Sequence, residues 1–308
     1  MIKITQVLRP TSQIIMRKLA MRKTKYIQHI ENCNNANLLD FIPWKISNDI
    51  VGYVNKNIAS KLLSFRSIFH EENNAIHLSS RLKNSQQRTE AVADILETLW
   101  AEEICGMKLN ENYAVRAEIG SPNLMTIDRG ASTHLGIITT GFHLNGFLTN
   151  KDQLKMWVAK RSATRSTFPG QLDNVVAGGQ PSNLTVAENV IKECNEEASI
   201  PKDLAQKAYP TGFISYLMET EGNLRRHVMY VYDLIMPFNF TPRPNDGEVE
   251  AFSLLKIEEI IKIVDSSPDT FKFNCNLVII DFLIRHGLIQ NEDPDYFKIV
   301  NGLRSPLN

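Results

Sequence analysis

Residues 178–200 read GGQPSNLTVAENVIKECNEEASI, a pair of glycines followed by an acid-rich segment. The second half predicts a helix on which Glu193, Glu196 and Glu197 fan over about 100° of one face. Like charges at this spacing repel one another by roughly 0.2–0.5 kcal/mol per exposed pair, and Lys192 alone lies immediately beside them. Because hard oxygen donors suit Mg²⁺ or Mn²⁺, the segment predicts a divalent-cation site.

This spacing resembles the Nudix box, G-x5-E-x7-R-E-U-x-E-E-x-G-U, in which U is a bulky apolar residue. Aligned on the acidic core, Gly178 takes the first glycine, the three glutamates take the acids that follow the arginine, and Ile200 takes the last apolar position. Four positions depart from the pattern: Leu184 replaces the first glutamate, Lys192 the arginine, Cys194 an apolar residue and Ser199 the last glycine. Leu184 and Lys192 replace a glutamate and an arginine that support the loop and helix through polar contacts. Because both are replaced together, neither charge is left without its partner. All three acids of the helix remain, so we expect an active box.

The resemblance implies roles for individual residues. Nudix enzymes hydrolyse a diphosphate bond with a divalent ion, here Mg²⁺ or Mn²⁺. Glu193 and Glu197 would be metal ligands, Glu196 a further ligand or the holder of a coordinated water, and a backbone carbonyl of Gly178 or Gly179 would complete the site. Glu193 and Glu196 are also assigned catalytic roles.

The general base is less constrained than the metal ligands. In this superfamily it comes from the box or from a later loop. We favour Glu248, with Asp246 and Glu250 as alternatives in the same proline-bounded turn.

Basic residues before the glycines are candidates for gripping phosphate, because arginine binds phosphate oxygens in a fork and lysine as a point charge. They are Lys160, Arg161 and Arg165, with Arg225 and Arg226 as a second group. A solvated basic loop explains the same residues equally well.

Further segments resemble one Nudix subfamily, the thiamine-pyrophosphokinase-related hydrolases of fungi and plants, over roughly residues 38 to 300. The segments are Phe41–Trp44, Val51–Val54, Gly141–Gly146, Trp157–Ser162, Thr167–Asn174, Tyr230–Leu234, Pro244–Glu250 and Asp281–Gly287. The resemblance implies a metabolite-repair enzyme that converts damaged thiamine diphosphate analogues, such as oxo- and oxythiamine diphosphate, to the monophosphate and phosphate. Alternatives are a Nudix hydrolase for ADP-ribose or NADH, and a non-catalytic module with a degraded box.

The fold class expected is α/β: a Nudix α/β/α sandwich with a mixed sheet, preceded by a small α+β domain. The predicted division is a basic leader at 1–30, an N-terminal domain at 31–133, the Nudix domain at 134–290 and a tail at 291–308. Helices are expected at 57–63, 88–103, 186–197, 257–264 and 276–285. Thr185 and Glu188 predict a capping box at the start of the third.

The composition of the chain limits the classes of molecule that we expect it to bind. A net charge of +0 gives no indication of nucleic acid or an anionic membrane, and no apolar run reaches the roughly 18 residues that span a bilayer. The four cysteines lack C-x-x-C spacing, so free thiols are expected. We therefore expect a small-molecule diphosphate as partner; the sequence leaves the oligomeric state open.

The first 30 residues hold seven lysines or arginines and no acid. This composition is typical of a mitochondrial transit peptide. The alternative is a disordered basic leader on a cytoplasmic or nuclear protein.

Overall fold

The structure is a computed structural model that describes residues 25–150, 153–267 and 269–308. Its N-terminal part contains a small α+β domain. Its four-stranded sheet has the order β2-β1-β4-β3, and a separate hairpin pairs β5 with β6. The elements are α1 (Tyr26–Cys33), β1 (Ile42–Ile46), β2 (Asp49–Val54), α2 (Lys56–Ser64), β3 (Phe69–Glu72), β4 (Ala75–Leu78), α3 (Ser85–Ala101), β5 (Asn112–Val115) and β6 (Met125–Asp128).

The packing of Trp44 involves two of the segments quoted above for this domain, residues 41–44 and 51–54. Its indole Nε1 donates a hydrogen bond to the Leu135 carbonyl at 2.8 Å, and its side chain is 1% exposed. Gly52, opposite it on β2, has no side chain because a Cβ there would overlap the indole ring. The tryptophan thus joins the sheet to the chain that leaves the domain.

The larger unit is built on a mixed sheet of order β11-β12-β7-β8-β13, with β10 on β7 and β9 on β8. Strands β7 and β12 are parallel, and the other pairs are antiparallel. The elements are β7 (Ile138–Thr149), β8 (Leu154–Arg161), β9 (Leu172–Asn174), β10 (Val176–Gly179), α4 (Val186–Ala198), α5 (Lys202–Ala205), β11 (Tyr209–Thr220), β12 (Asn223–Ile235), β13 (Val249–Lys256), α6 (Ile257–Ser266), α7 (Phe273–Arg285) and α8 (Tyr296–Gly302).

Helices cover both faces of this sheet. Helix α4 packs Val190 and Cys194 against Phe142 and Leu144 of β7. Helices α1, α6, α7 and α8 share the core on the other face, where Phe147 meets Phe282 edge to face at 5.3 Å. The α/β/α sandwich expected from the sequence is confirmed, as is the small domain before it.

Two segments outside the predicted domains belong to the sandwich core. Positions 1–24 of the predicted leader lie outside the described residues, but Tyr26 and Ile30 of α1 are buried against the sandwich. The predicted tail contains α8, and its Ile299 and Leu303 are 0% exposed. Their apolar side chains belong to the same core cluster as those of α1, α6 and α7.

Arg226 corrects one candidate from the sequence. This residue of β12 is 0% exposed and donates hydrogen bonds to the carbonyls of Gly136 and Leu307. Its guanidinium lies over the Tyr53 ring at 4.9 Å. Since its donors are used by these carbonyls and its guanidinium packs on a ring of the N-terminal domain, it is a structural residue and does not bind phosphate.

A buried ion network fastens α7 to the sheet. Arg285 donates to Asp233 on β12 at 2.7 and 3.0 Å and to Asp281 at 2.7 Å. Burial would raise the pKa of Asp233, but hydrogen bonds from His286 and Arg285 outweigh burial and hold that pKa below its usual value. The ionised carboxylate is therefore stable only with its partners present.

Replacing Arg285 tests this network. Arg285→Met leaves Asp233 buried without its main cation, so we expect the free energy of unfolding to fall by about 3–5 kcal/mol. Urea denaturation measures this change. The control Lys298→Met removes an exposed ion pair with Asp295 and should change stability by less than about 1 kcal/mol. Equal effects of the two substitutions would contradict the structural role.

Candidate active site

The glycine pair lies at the end of β10, directly against helix α4. Gly178 and Gly179 pair with Phe142 and Gly141 of β7. A Cβ atom on Gly178 would lie 2.7 Å from Cγ of Glu193. The missing side chain therefore lets the first acid of the helix approach the strand backbone.

Local capping places the acids of α4. Thr185 accepts a hydrogen bond from the Glu188 backbone N–H at 3.2 Å, and Glu188 accepts from the Thr185 N–H at 2.9 Å. The predicted capping box is confirmed. At the other end of the helix, Ser199 adopts a left-handed conformation with φ 52°. The Nudix pattern has glycine at this position, the residue that adopts such a conformation most easily. Its hydroxyl donates to the Arg243 carbonyl at 3.0 Å, which helps to hold this turn.

Glu197 is the buried acid of the site. Its side chain accepts a hydrogen bond from the Ala177 backbone N–H at 3.1 Å. Within the described ranges, no lysine, arginine or histidine forms an ion pair with it. Burial raises the pKa of Glu197 well above its usual value, and the nearby charges of Glu193 and Glu248 raise it further.

Glu193 and Glu196 share Lys192. The ammonium Nζ lies 3.0 Å from Glu193 and 2.6 Å from Glu196. Burial raises the pKa of Glu193; Lys192 opposes this, and Glu196 and Glu248 add to it. Among the described residues, the oxygens of the three box glutamates do not all come within 4.8 Å of one another. Glu196, half exposed, faces Lys192 instead.

Glu248 comes from a loop distant in sequence and lies beside the acidic helix. Burial is the main cause of the raised pKa of Glu193 and of Glu197, and the charge of Glu248 adds to both. Its carboxylate pairs with Arg165, and its backbone carbonyl accepts from the Ser162 N–H at 2.8 Å. The sequence-based choice of Glu248 thus names an acid that the fold brings to the box.

The predicted phosphate-binding cations divide into two kinds. Arg161 is enclosed: its guanidinium donates to Asp173 at 3.0 Å and to the carbonyls of Phe168 and Thr167. Lys160 pairs with Glu250 at 2.7 Å, with both side chains 46% exposed. Arg161 therefore supports the loop, whereas Lys160 and Arg165 remain at the surface of the site.

Two residues of the N-terminal domain reach the same place. A Cβ on Gly179 would overlap the Tyr113 hydroxyl and would lie 3.7 Å from Cζ of Arg129. The guanidinium of Arg129 lies 5.9 Å from the centroid of the Tyr113 ring. Sequence patterns gave no signal for this pair, because the contact joins separate domains.

A pocket opens beside these residues, with a volume of about 150 Å³. Its lining includes Tyr113, Arg116, Ile138, Leu184 and Tyr230. Leu184, at the position of the missing box glutamate, therefore gives the pocket an apolar wall.

Comparison with known proteins identifies the family. The chain is 37% identical over 286 residues to "Nudix hydrolase 24, chloroplastic" of Arabidopsis thaliana, with 92% of this chain and 78% of that protein covered. It is 36% identical over 293 residues to "Nudix hydrolase 20, chloroplastic" of the same plant, with the same coverage. This chain belongs to the Nudix hydrolase family.

Two further comparisons concern parts of this Nudix hydrolase. Residues 25–139 match a family described as "Domain of unknown function (DUF4743)". A crystal structure of a C. elegans Ap4A hydrolase binary complex aligns with a TM-score of 0.36 and 14% identity, covering 49% of this chain and 99% of that one. In the part of the chain that the structure describes, no helix combines the length and apolarity needed to cross a membrane.

The donor set of this Nudix hydrolase fits a divalent metal ion. Glu197 is a buried carboxylate with one backbone donor and further acids nearby. A divalent cation would offset the negative charges that add to these raised pKa values, and carboxylate and carbonyl oxygens are its preferred ligands. Glu193, Glu197 and the carbonyls of Gly178 and Gly179 are the groups that could hold such an ion.

Removing the Glu197 charge tests this electrostatic arrangement. Because the folded-state pKa is raised, the metal-free protein should lose stability as pH rises from the unfolded pKa, about 4.3, through the folded one. In a chelator at pH 8, Glu197→Gln should therefore melt at a higher temperature than the wild type. Mn²⁺ should raise the melting temperature of the wild type more than that of the variant.

Thermal melts at pH 5 and pH 8, with chelator or Mn²⁺, measure both effects. The matched control is Glu258→Gln, an exposed acid in the first turn of α6, which should follow the wild type. A wild-type pH dependence and Mn²⁺ response in Glu197→Gln would contradict the assignment.

Proposed function

We propose that this Nudix hydrolase converts oxidised analogues of thiamine diphosphate to the monophosphate and inorganic phosphate, with Mg²⁺ or Mn²⁺ as its ion. The observation that carries the chemistry is the buried Glu197 carboxylate beside Glu193 and the glycine pair. The thiamine assignment draws its support from segments resembling the thiamine-related subfamily in both domains.

The ion supplies charge neutralisation at the diphosphate and lowers the pKa of a bound water. Glu193 and Glu197 would hold it, with a carbonyl of Gly178 or Gly179, and Glu196 would be a further ligand or the holder of a coordinated water. Positioning and electrostatic stabilisation account for most of the catalysis in phosphoryl transfer.

Glu248 is proposed to accept the proton of the attacking water. It lies near Glu193 and Glu197, and Arg165 holds its carboxylate in place. Lys160 and Arg165, at the surface of the site, would bind phosphate oxygens of the substrate. Arg161 is left out of this role because its donors are used within the loop.

The pocket suits a flat organic group attached to a diphosphate. Tyr113 and Tyr230 provide aromatic surface, and Leu184 and Ile138 provide apolar surface. Discrimination between intact and oxidised rings would depend on hydrogen bonds to the altered ring atoms, since unpaired polar groups in a pocket penalise the wrong ligand.

Purified full-length protein tests the substrate. With Mg²⁺ or Mn²⁺, we expect oxythiamine diphosphate to give the monophosphate and phosphate in equal amounts, with a kcat/KM above those for thiamine diphosphate, ADP-ribose and NADH. Chromatography of the products together with a phosphate assay measures this. Faster turnover of ADP-ribose would replace the thiamine proposal with a nucleotide one.

Variants connect that activity to the site. Glu193→Gln should lower kcat by about two orders of magnitude or more, because it removes a charged metal ligand. Glu258→Gln, the exposed acid, should retain wild-type kinetics. Full activity of Glu193→Gln would refute the proposed ligand set.

We also propose that residues 1–30 direct the protein into mitochondria, based on their basic, acid-free composition. The two Arabidopsis relatives are named chloroplastic, so both carry an organelle in their names. A fusion of residues 1–30 to a fluorescent protein should accumulate in mitochondria. A diffuse cytoplasmic signal would contradict this part of the proposal.

A further inference from the structure

We propose that Arg129, from the N-terminal domain, binds the diphosphate of the substrate, so that the two domains share one active site. This inference deepens the proposed function and rests on it for the diphosphate chemistry. It gives the N-terminal domain a direct part in substrate recognition.

The backbone that carries Arg129 is tightly held. Asp128, which precedes it, is 8% exposed and accepts hydrogen bonds from the backbone N–H groups of Leu109, Asn110 and Gly130 at 2.6–2.9 Å. The Arg129 N–H itself donates to the Glu111 carbonyl at 2.8 Å. Such a fixed main chain presents its side chain in one direction, as a binding residue requires.

Arg129 points to the glycine pair of the metal site. Its Cζ lies 3.7 Å from where a Cβ of Gly179 would stand, a position that the Tyr113 hydroxyl occupies. The Ser182 N–H, three residues after Gly179, donates to the Asn112 carbonyl at 2.8 Å. Strand β5 and the glycine loop are therefore in direct contact, and a diphosphate held by the metal site lies within reach of this arginine.

The guanidinium has donors to spare. Nη1 donates to Glu111 at 2.8 Å, whereas Nε and Nη2 donate no hydrogen bond to any described residue. The side chain is 43% exposed, in contrast to Arg161 at 12%. Two free N–H directions in one plane match two phosphate oxygens, the geometry in which arginine binds phosphate most strongly.

The surrounding charge agrees with this role. Partial desolvation would lower the pKa of the Arg129 guanidinium, but Tyr113, then Glu111 and then Glu248 raise it above its usual value. The arginine thus remains charged next to the acid proposed as the base. A bound diphosphate would sit between the divalent ion on one side and this cation on the other.

Binding of methylenediphosphonate, a diphosphate mimic that resists hydrolysis, tests the inference directly. Calorimetric titration of the full-length protein in Mg²⁺ should show Kd raised about 10-fold or more by Arg129→Gln, the loss expected for one charge-assisted contact. Arg129→Lys should give an intermediate Kd, because lysine keeps the charge but lacks the fork.

Two matched variants separate recognition from structure. Glu111→Gln breaks the same ion pair but frees the arginine, so its Kd should equal that of the wild type or fall. Lys61→Gln removes a surface cation of the same domain, paired with Glu102, and should leave Kd within two-fold. Thermal melts confirm that each variant is folded.

The inference is overturned if Arg129→Gln binds within two-fold of the wild type, if Glu111→Gln weakens binding as much as Arg129→Gln, or if the wild type does not bind the mimic. Turnover of oxythiamine diphosphate is measured on the same preparations. Binding that depends on Arg129 without any turnover would support the inference while rejecting the proposed hydrolysis.

Discussion

The burial of the Glu197 carboxylate beside other acids is the constraint on which the site depends. One backbone hydrogen bond from Ala177 holds the carboxylate, and the neighbouring charges make its ionised form unfavourable without a cation. A protein that needed only stability would place an apolar side chain here. The fold keeps the acid, and a bound divalent cation would make this arrangement favourable.

The rest of the structure serves to keep those acids in place. The capping box at Thr185 fixes where α4 begins, and Gly178 lets the helix approach the sheet. The buried pair of Arg285 and Asp233 fastens α7 to the opposite face. Arg226 contacts the Tyr53 ring of the N-terminal domain, and the hydrogen bond from Ser182 to Asn112 holds the strand that carries Tyr113 against the glycine loop.

The sequence could predict features whose causes lie within a few residues. The helix after Thr185, its capping box and its acidic face follow from residue spacing alone. The resemblance to the Nudix box predicted the sandwich fold. The structural roles of Arg161 and Arg226 could not be predicted from the sequence. Their hydrogen-bond acceptors, Asp173, Gly136 and Leu307, are brought to them only by the tertiary structure. The place of Arg129 at the site likewise depends on how two domains pack, which no local pattern encodes.

Anomalous diffraction from crystals grown with Mn²⁺ measures the position of the ion itself. A peak should lie between the Gly178–Gly179 backbone and the carboxylates of Glu193 and Glu197, with Glu196 turned away from Lys192. A different outcome is chemically reasonable, because His70, Glu72 and His77 also bring ligand atoms within 4.8 Å of one another. A Mn²⁺ peak at that surface cluster and none at the glycine pair would contradict the assignment of the catalytic metal site.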